Sequence, residues 1–261
     1  MTTEDFISEL FYRGDEALRG VAKHPQASLW PSEVVTLGVL FALKGVGTRA
    51  FSRWVSREWR GLFPTLPERT RLVRLFATHR TWTAECLAAP SVLGVVDSSG
   101  IELFHPRREG RRAQQIGRNG KSNRRWSVGG KLCLLLNPLG SVVAWDWAGT
   151  NAPNPAFQPL SEAFGEAMGV LSDTGFHAKE GDSANLKLWA RSHCNTRMLV
   201  ETVLSMLTGV WHLKQGAHRP WGAVQARFAF TLATFNLLVQ WHGLQLDAQG
   251  FIHLSLAEFS L

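Results

Sequence analysis

The sequence predicts a mixed α/β protein in which a β-sheet is flanked by helices and preceded by an N-terminal helical region. Two observations support this prediction. Residues 1–89 carry apolar residues at helical spacing and few strand signals, whereas short apolar segments of β character begin after Ala89-Pro90. In that second region strand patterns alternate with helical patterns, which is typical of a sheet covered by helices.

The helical region contains one strongly apolar segment and one short amphipathic segment. The apolar segment runs from Val34 to Leu43, and Pro31 ahead of it is a favourable first residue of a helix. A second helix is expected after Pro67, through Thr70 to His79. Both segments are long enough to form core helices of a small helical domain.

Between these two helices the sequence predicts a helix with one basic face. Its arginines recur at spacings of three to four residues: Arg49, Arg53, Arg57 and Arg60. This helix and the next could form a helix-turn-helix-like unit, with Arg53 and Arg57 as the expected nucleic-acid contacts. A solvated face on a small helical domain explains the same pattern equally well.

In the second region the sequence predicts three strands, then a helix, a fourth strand and a second helix. In chain order these are strands over 92–96, 131–136 and 141–147, a helix around Phe157 to Ala167, a strand ending at Asp173 and a long helix through Glu201. The turn Asn137-Pro138-Leu139-Gly140 separates the second and third strands, so these two are expected to form a hairpin.

The charge balance favours a polyanionic partner. The chain of 261 residues has 28 Lys and Arg against 21 Asp and Glu, for a formal charge of +7 and a pI near 9.8. Basic proteins bind nucleic acid favourably because binding releases condensed counterions. Nucleic acid is therefore the leading candidate on charge, although many soluble proteins share this balance.

The sequence predicts a cytoplasmic protein without disulfides. Its three cysteines are widely separated and lack zinc-ligand spacing: Cys86, Cys133 and Cys194. Acidic residues occupy the N-terminus, where a signal peptide carries positive charge before an apolar run. The longest apolar segments, Val34 to Leu43 and Phe228 to Trp241, are shorter than the ~20 residues that span a bilayer. We expect both to be core helices and the protein to have no membrane partner.

Three acidic residues lie at the ends of apolar segments or within them. Asp97 follows Val92 to Val96, Asp173 follows residues 169–172, and Glu201 lies in the apolar segment 198–207. A charge at the end of a buried strand costs several kcal/mol if it is unpaired. No cation stands beside these acids in the sequence, so a divalent metal is the expected partner, and oxygen ligands favour Mg²⁺.

Each of these acids also has an ordinary interpretation. The two aspartates can cap turns, and Glu201 can form an i, i+4 ion pair with Arg197. Asp146 and Glu102 are rival metal ligands. Alternation along the predicted strand indicates that Asp146 faces solvent on an edge strand.

As an ordered set, these residues resemble the insertion-sequence transposases of the DDE class, which have an RNase H-like catalytic core. The motifs that carry the resemblance are Val95 to Ile101, Leu171 to Phe176 and Arg197 to Leu207, within about residues 90–242. The resemblance implies an RNase H-like catalytic domain over 90–261, preceded by a DNA-binding helical region over 1–89.

The resemblance also implies the roles of individual residues. Asp97, Asp173 and Glu201 are implied to bind two Mg²⁺ ions, for which Mn²⁺ can substitute. Arg197 is implied to neutralise phosphate charge or to orient Glu201. Relatives with a tyrosine, arginine, glutamate, lysine signature have Tyr and Lys where this chain has Cys194 and Thr208.

The implied activity is that of a DNA transposase. Such an enzyme cleaves at the ends of a mobile element and joins the freed 3′-hydroxyl to target DNA by two-metal phosphodiester transfer. The implied partners are double-stranded DNA with terminal inverted repeats, target DNA and a second copy of the chain, on the nucleoid of a prokaryotic cell. The alternatives are a standalone metal-dependent DNA nuclease and an inactive, DNA-binding transposase remnant.

A dense basic run lies between Asp97 and the second predicted strand. Glycines within the run predict a flexible or tightly turned loop that follows a phosphate backbone, and Trp126 could stack on an exposed base. A solvated loop is the alternative. The cations of the run are Arg107, Arg108, Arg111, Arg112, Arg118, Lys121, Arg124, Arg125 and Lys131.

Overall fold

The computed structural model describes two compact units. The described residues are 2–104, 118–122, 125–178, 181–189, 194–209, 211–213 and 221–242. Unit 1 contains the described residues of 1–86 together with 222–238. Unit 2 contains the described residues of 87–221 together with 239–242.

Unit 1 is helical, as the sequence predicts. Pro31 is the first residue of its second helix, and the helix predicted after Pro67 begins at Arg69. Thr2 caps the first helix: its side chain accepts from the Asp5 N–H, and the Asp5 carboxylate accepts from the Thr2 N–H. The helices that contribute to unit 1 are α1 (Thr3–Ala17), α2 (Pro31–Lys44), α3 (Thr48–Glu58), α4 (Arg69–Thr78) and α7 (Trp221–His242).

The core of unit 1 forms where α7 packs against α2 and α4. The Phe76 and Phe230 rings lie 5.4 Å apart in an edge-on arrangement, and the Phe41 ring stacks on Phe76 at 5.9 Å. The Asn236 side chain donates to the Cys86 carbonyl at 3.1 Å. The prediction that residues 90–261 form one domain includes α7, whereas in the structure residues 222–238 pack with the N-terminal helices. The reason is that an all-round apolar helix is best buried among other helices.

Within the described residues, one segment is long and apolar enough to cross a membrane by length and composition. It is Gly222–Gln240 in α7, and 72% of it is buried in the structure. Helices α2 and α3 meet that criterion only as a pair, and the chain bends by 117° between them. The expectation that the segments beginning at Val34 and Phe228 form core helices is confirmed over the described residues.

Unit 2 contains a six-stranded mixed sheet. Its order is β2-β3-β1-β5-β6, and β4 pairs with β3 as well. β1 is antiparallel to β3 and parallel to β5, so the predicted mixed sheet is confirmed. The strands are β1 (Leu93–Phe104), β2 (Arg118–Ser122), β3 (Arg125–Leu136), β4 (Val142–Gly149), β5 (Gly169–Ser172) and β6 (Leu186–Leu188).

The hairpin predicted between β3 and β4 is present. The Asn137 side chain accepts hydrogen bonds from the N–H groups of Leu139 and Ser141, at 3.1 and 2.9 Å. Gly140 adopts a positive φ of 80°, which glycine tolerates without a side-chain clash. The side chain of Asn137 and the conformation of Gly140 together fix this turn.

Three predicted elements differ from the structure. The first strand continues through Asp97 to Phe104, because β3 pairs along nearly its whole length. Part of the basic run is strand and not loop: residues 118–122 pair with 125–129 as a second hairpin. The helix expected over 157–167 is a 3₁₀ turn at Asn154–Phe157 followed by α5 (Gln158–Glu162), after which tight turns lead into β5.

The two faces of the sheet are covered by different elements. On one face Val96, Cys133 and Val170 pack with Phe157 and Phe176, beside α5, and we call this the α5 face. On the other face Val95, Leu132 and Leu134 are buried. Helix α6 (Cys194–Gly209) packs against β1, and none of its described residues belongs to the first cluster. We call this opposite face the α6 face.

Gly38 should be essential to the packing of unit 1. A β-carbon at this position would lie 2.3 Å from the Phe230 ring, so Gly38→Ala should lower the free energy of unfolding by about 1–3 kcal/mol. Gly14, in the last turn of α1, is the matched control because the nearest atom to a β-carbon added there is 3.8 Å away. Gly14→Ala should raise stability by up to about 1 kcal/mol through helix propensity. Urea unfolding of both variants measures this, and equal effects would contradict the packing described.

Candidate active site

The register of β1 and β5 brings Asp97 and Asp173 to neighbouring positions. The parallel pairs include Leu93 with Gly169 and Val95 with Leu171. Continued by two residues, the same register places Asp97 beside Asp173, on strands about 4.8 Å apart. Residues paired in this way share a face of the sheet. Asp97 pairs with Leu134 and so lies on the α6 face, whereas Asp173 stands just beyond the end of β5, in the turn that follows it.

The two aspartates have different local settings. Asp97 lies within β1 and not at its end, is partly exposed, and its Oδ1 accepts from the Ser98 N–H at 2.7 Å. Asp173 directly follows β5, as predicted, and caps a 3₁₀ turn at Thr174–Phe176 by accepting from the Gly175 N–H at 2.9 Å. This cap uses one lone pair of a carboxylate that has about four, so further ligands can be accepted.

Gly175 allows the close approach of two polar groups at this turn. A β-carbon here would lie 3.1 Å from the Asp173 Oδ1 and 3.2 Å from the Asn154 amide nitrogen. Both separations are tighter than ordinary contact. The absence of a side chain at Gly175 therefore has a steric role at this turn.

The rival acids lie on the other face of the sheet. Asp146 in β4 pairs with Cys133, which pairs with Ser98 in β1, so Asp146 shares a face with Ser98 and not with Asp97. Alternation along β1 places Glu102 on that same α5 face. Both acids are exposed, which confirms that Asp146 faces solvent. Neither is arranged to share a ligand with Asp97 and Asp173.

The electrostatic effect of Asp97 reaches a buried thiol. Burial raises the pKa of Cys133 well above its ordinary value, and the nearby carboxylates of Asp97 and Asp146 raise it further. Burial likewise raises the pKa of Cys86 to about 11. Both thiols stay protonated at neutral pH, as expected of buried cysteines without a catalytic role.

Lys131 is committed to contacts within the protein. Its ammonium donates to the Ala152 carbonyl at 2.7 Å and to the Asn154 Oδ1 at 3.0 Å, and the Ser98 hydroxyl donates to the same Oδ1 at 3.2 Å. Burial lowers the pKa of Lys131. Lys131 therefore braces the segment around Asn154, which makes it a weaker candidate for the phosphate contact that the sequence analysis expected. No pattern in the sequence points to the role of Asn154.

The remaining members of the predicted basic run are only partly described. The backbones of Arg118, Lys121, Arg125 and Trp126 lie in β2 and β3, and their side chains lie outside the described residues. The other predicted contacts lie wholly outside the described residues: Arg107, Arg108, Arg111, Arg112 and Arg124.

Glu201 lies on the exposed side of α6. The helix buries Val200, Val203 and Leu207, while Glu201 and Ser205 are exposed on a neighbouring stripe, as the helical spacing predicts. Arg197 lies in the first turns of α6, and its side chain is outside the described residues. Helix α6, which carries Glu201, packs against β1, the strand that carries Asp97.

The aspartate pair fits a hard divalent cation in its chemistry. Mg²⁺ is commonly bound through one or two carboxylates, with water and substrate phosphates completing its coordination. Within the described ranges, no group of three or more His, Cys, Asp or Glu side chains is arranged to hold a metal ion. The residues therefore fit a metal held by Asp97 and Asp173 together with substrate, and the third ligand, Glu201, stays a prediction.

Unit 1 carries the predicted basic surface. The four arginines of this surface are all exposed, whereas Phe51 and Val55 on the opposite side of α3 are buried. The adjacent helix α4 exposes Arg69, Arg71 and Arg74. The helix is shorter than predicted: α3 ends at Glu58, and Arg60 lies in the turn that follows it. The three arginines on the helix form what we call the α3 basic face: Arg49, Arg53 and Arg57.

In comparisons with known proteins, no family model, curated protein or solved structure matches the chain. The functional interpretation therefore depends on the residues and their arrangement alone.

Cys133 should react slowly with thiol reagents in the folded protein. A pKa raised from 9.0 to about 11, as at Cys86, lowers the thiolate fraction at pH 8 by about a hundredfold, and Cys133 should be at least as slow. The rate of labelling is measured in a Cys194→Ser variant and compared with the rate in the same chain unfolded in urea. The fold favours the neutral Cys86 thiol, so its contribution to stability is present below pH ~9 and is lost as the pH rises through ~11. Labelling of Cys133 as fast as in the unfolded chain would contradict its burial.

Proposed function

We propose that the protein is a DNA transposase of the DDE class that cuts element ends and joins them to target DNA. The observation that carries this proposal is the parallel register of β1 and β5. Continued by two residues beyond the observed pairs, this register would bring Asp173 next to Asp97, and α6, which carries Glu201, packs against the same strand β1. A pair of aspartates on adjacent strands near a helix with a glutamate supports a divalent-metal site for phosphate chemistry.

The sheet is compatible with the RNase H-like core that the sequence resemblance implies. Its central strand β1 is antiparallel to β3 and parallel to β5, and helices lie on both faces. Mixed sheets of this kind host many activities, so the fold gives only indirect support. The acidic residues carry the argument for this particular chemistry.

The reaction requires only exchange of phosphate esters. In cleavage, a water oxygen bonds to phosphorus, the bond from phosphorus to the 3′ oxygen breaks, and the products are a 3′-hydroxyl and a 5′-phosphate. In joining, that 3′-hydroxyl attacks a phosphate of the target, and a target 3′-hydroxyl leaves. Bound Mg²⁺ supplies Lewis-acid stabilisation of the charge that develops on the phosphate oxygens. Asp97 and Asp173 would hold the ion, and the site would orient the attacking oxygen.

The α3 basic face supports a role for unit 1 in holding DNA. Three exposed arginines along one helical face can contact successive phosphates, and such contacts give affinity that depends on salt. The spacing of 27 residues between Asp173 and Glu201 leaves no room for a large inserted domain. Contacts to the DNA ends must therefore come from other segments, such as α3 and the basic run before β3.

A DNA-binding protein that no longer cleaves is the second candidate. The observation that favours it is that the described residues form no group of three acids. On this alternative, the α3 basic face would bind DNA without Mg²⁺ and no cleavage would follow. A terminal inverted repeat from the flanking DNA, incubated with protein and Mg²⁺, separates the two. A cut without joining would indicate a nuclease.

Substitution of the three acids should abolish cleavage and leave DNA affinity within a few-fold. Asp97→Asn, Asp173→Asn and Glu201→Gln each remove an expected metal ligand and not a phosphate contact. The measurement is single-turnover cleavage of a terminal-repeat duplex in Mg²⁺, with equilibrium binding measured in parallel.

The matched controls are Asp146→Asn and Glu102→Gln, on the α5 face. Because these exposed acids face away from Asp97, their variants should cleave at near wild-type rates. Full cleavage by any of the three acid variants would remove that residue from the site, and inactive but folded controls would reassign the ligands.

Neutral substitutions on the α3 basic face should weaken binding in a salt-dependent way. If Arg53 and Arg57 contact phosphates, each arginine lost should reduce the slope of log affinity against log salt by about 1. Arg19→Gln is the control, since Arg19 is exposed on unit 1, follows α1 and lies 3.8 Å from the Glu16 carboxylate. A slope unchanged in the Arg53→Gln/Arg57→Gln variant would show that this face is only solvated.

A further inference from the structure

A serine, a histidine and an aspartate form a continuous chain of contacts beside Asp173. The Ser172 Oγ lies 3.2 Å from the His177 Nε2, and the His177 Nδ1 lies 2.6 Å from the Asp182 Oδ2. This is the order of groups in a Ser-His-Asp hydrolase triad. Ser172, however, is completely buried in β5 on the α5 face. A hydroxyl closed to substrate cannot act as a nucleophile, so the chain must have another role.

Asp182 is the centre of this network. Its Oδ1 accepts from the Ala178 N–H at 2.7 Å and from the Gln158 amide at 2.8 Å. The same Gln158 amide donates to the Phe176 carbonyl at 2.9 Å. The Ala178 hydrogen bond, followed by those of His177 and Gln158, lowers the pKa of Asp182. The carboxylate is therefore ionised at neutral pH, and the His177 Nδ1–H donates to it.

The contacts fix both ends of the segment that carries Asp173. Ser172, at the start, is held in β5, where its carbonyl also accepts from the Trp189 N–H at 3.1 Å. His177 and Ala178, at the end, are tied to Asp182. Between these anchors lie Asp173 and the Gly175 N–H that donates to it. We call the Ser172, His177 and Asp182 chain the clasp.

We propose that the clasp is a positioning device: it holds the 173–176 turn and thereby fixes the position of the Asp173 carboxylate for binding a divalent cation. This inference depends on the proposed function, because it takes Asp173 to be a metal ligand. Its physical basis is preorganisation, since a turn fixed at both ends loses little conformational freedom when its carboxylate binds an ion. Residues that orient a metal-binding side chain typically change metal affinity by 10–100-fold.

The first experiment separates metal affinity from turnover. His177→Ala should raise the Mg²⁺ concentration that gives half-maximal cleavage by about tenfold or more, whereas the rate at saturating Mg²⁺ should stay within a few-fold of wild type. The acid substitution Asp173→Asn should instead remain inactive at any Mg²⁺ concentration. An equal loss of rate at every Mg²⁺ concentration in His177→Ala would overturn the positioning role.

Two conservative variants show which half of the clasp matters. The amide nitrogen of Asn can occupy the position of the His Nδ1, and that of Gln the position of the Nε2. We expect His177→Asn to recover most of the Mg²⁺ affinity, because the bond to ionised Asp182 is the shorter and charge-assisted one. His177→Gln should recover less. Rescue by neither variant would show that a hydrogen bond is not what His177 supplies.

The second experiment needs neither metal nor DNA. In the metal-free protein, His177→Ala should accelerate amide hydrogen exchange at Gly175 and Ala178 by about tenfold or more, because their hydrogen-bond acceptors lose support. Ser183→Ala is the matched control: Ser183 adjoins Asp182 but donates to Glu162, at 3.1 Å. This variant should change neither exchange at Gly175 nor the Mg²⁺ dependence.

The two experiments distinguish the failure of each idea. A wild-type protein that cleaves no DNA in Mg²⁺ would refute the proposed function, while exchange at Gly175 would still show whether the clasp holds the turn. Unchanged exchange in His177→Ala and in Asp182→Asn would overturn the clasp even if the wild type is active. If His177→Ala fails to fold, His177→Asn, His177→Gln and Asp182→Asn carry the same comparisons.

Discussion

The candidate site depends on the register of one parallel strand pair. Side chains alternate between the two faces of a strand, so a shift of β5 by a single residue would turn Asp173 away from Asp97. The buried residues on each face prevent such a shift. Val170 and Ser172 are completely buried on the α5 face, and the shift would exchange them with their partly exposed neighbours. The packing that stabilises the sheet therefore also determines which acids meet.

The two faces of the sheet divide structural and chemical roles. On the α5 face, polar side chains satisfy one another: Lys131 and Ser98 bind Asn154, and Gln158 and His177 bind Asp182. Charged groups in such networks are engaged and poorly available to a ligand. Asp97, on the α6 face, and Asp173, just after β5, are partly exposed, and each accepts a hydrogen bond from a nearby backbone N–H.

Much of the fold follows from local patterns in the sequence. Helix α2 and the β3–β4 hairpin are present as predicted, because each depends on residues close together in sequence. These residues are Pro31 with the apolar run after it, and the Asn137–Gly140 turn. The strand order, the length of β1 and the placement of α7 depend on distant partners, and no local pattern encodes them. The glycines of the basic run illustrate the difference: Gly129 suggested flexibility, whereas the structure uses it for close packing against the Ile101 carbonyl.

The same limit applies to the site. Asp97 and Asp173 could be selected as candidates because each follows an apolar strand segment, and Glu201 because it is an acidic residue within an apolar segment. The same patterns do not identify His177, Asp182 and Asn154, because each lies in a polar segment and so does not interrupt an apolar one. Their roles come from side-chain contacts across the fold, such as that between Gln158 and Asp182, which are 24 residues apart.

The position of α7 in unit 1 has a consequence for how the chain folds during synthesis. The helices of residues 2–86 bury Gly38 and Phe76 against a segment that the ribosome makes more than a hundred residues later. Until Phe230 emerges, the apolar surface of α2 lacks the partner that covers it, although unit 2 residues are already available to fold. Contacts between such distant segments form slowly, and exposed apolar surface invites aggregation in the meantime. Unit 1 is therefore expected to finish folding after unit 2. Until then its exposed apolar helices are the segments that chaperones would bind.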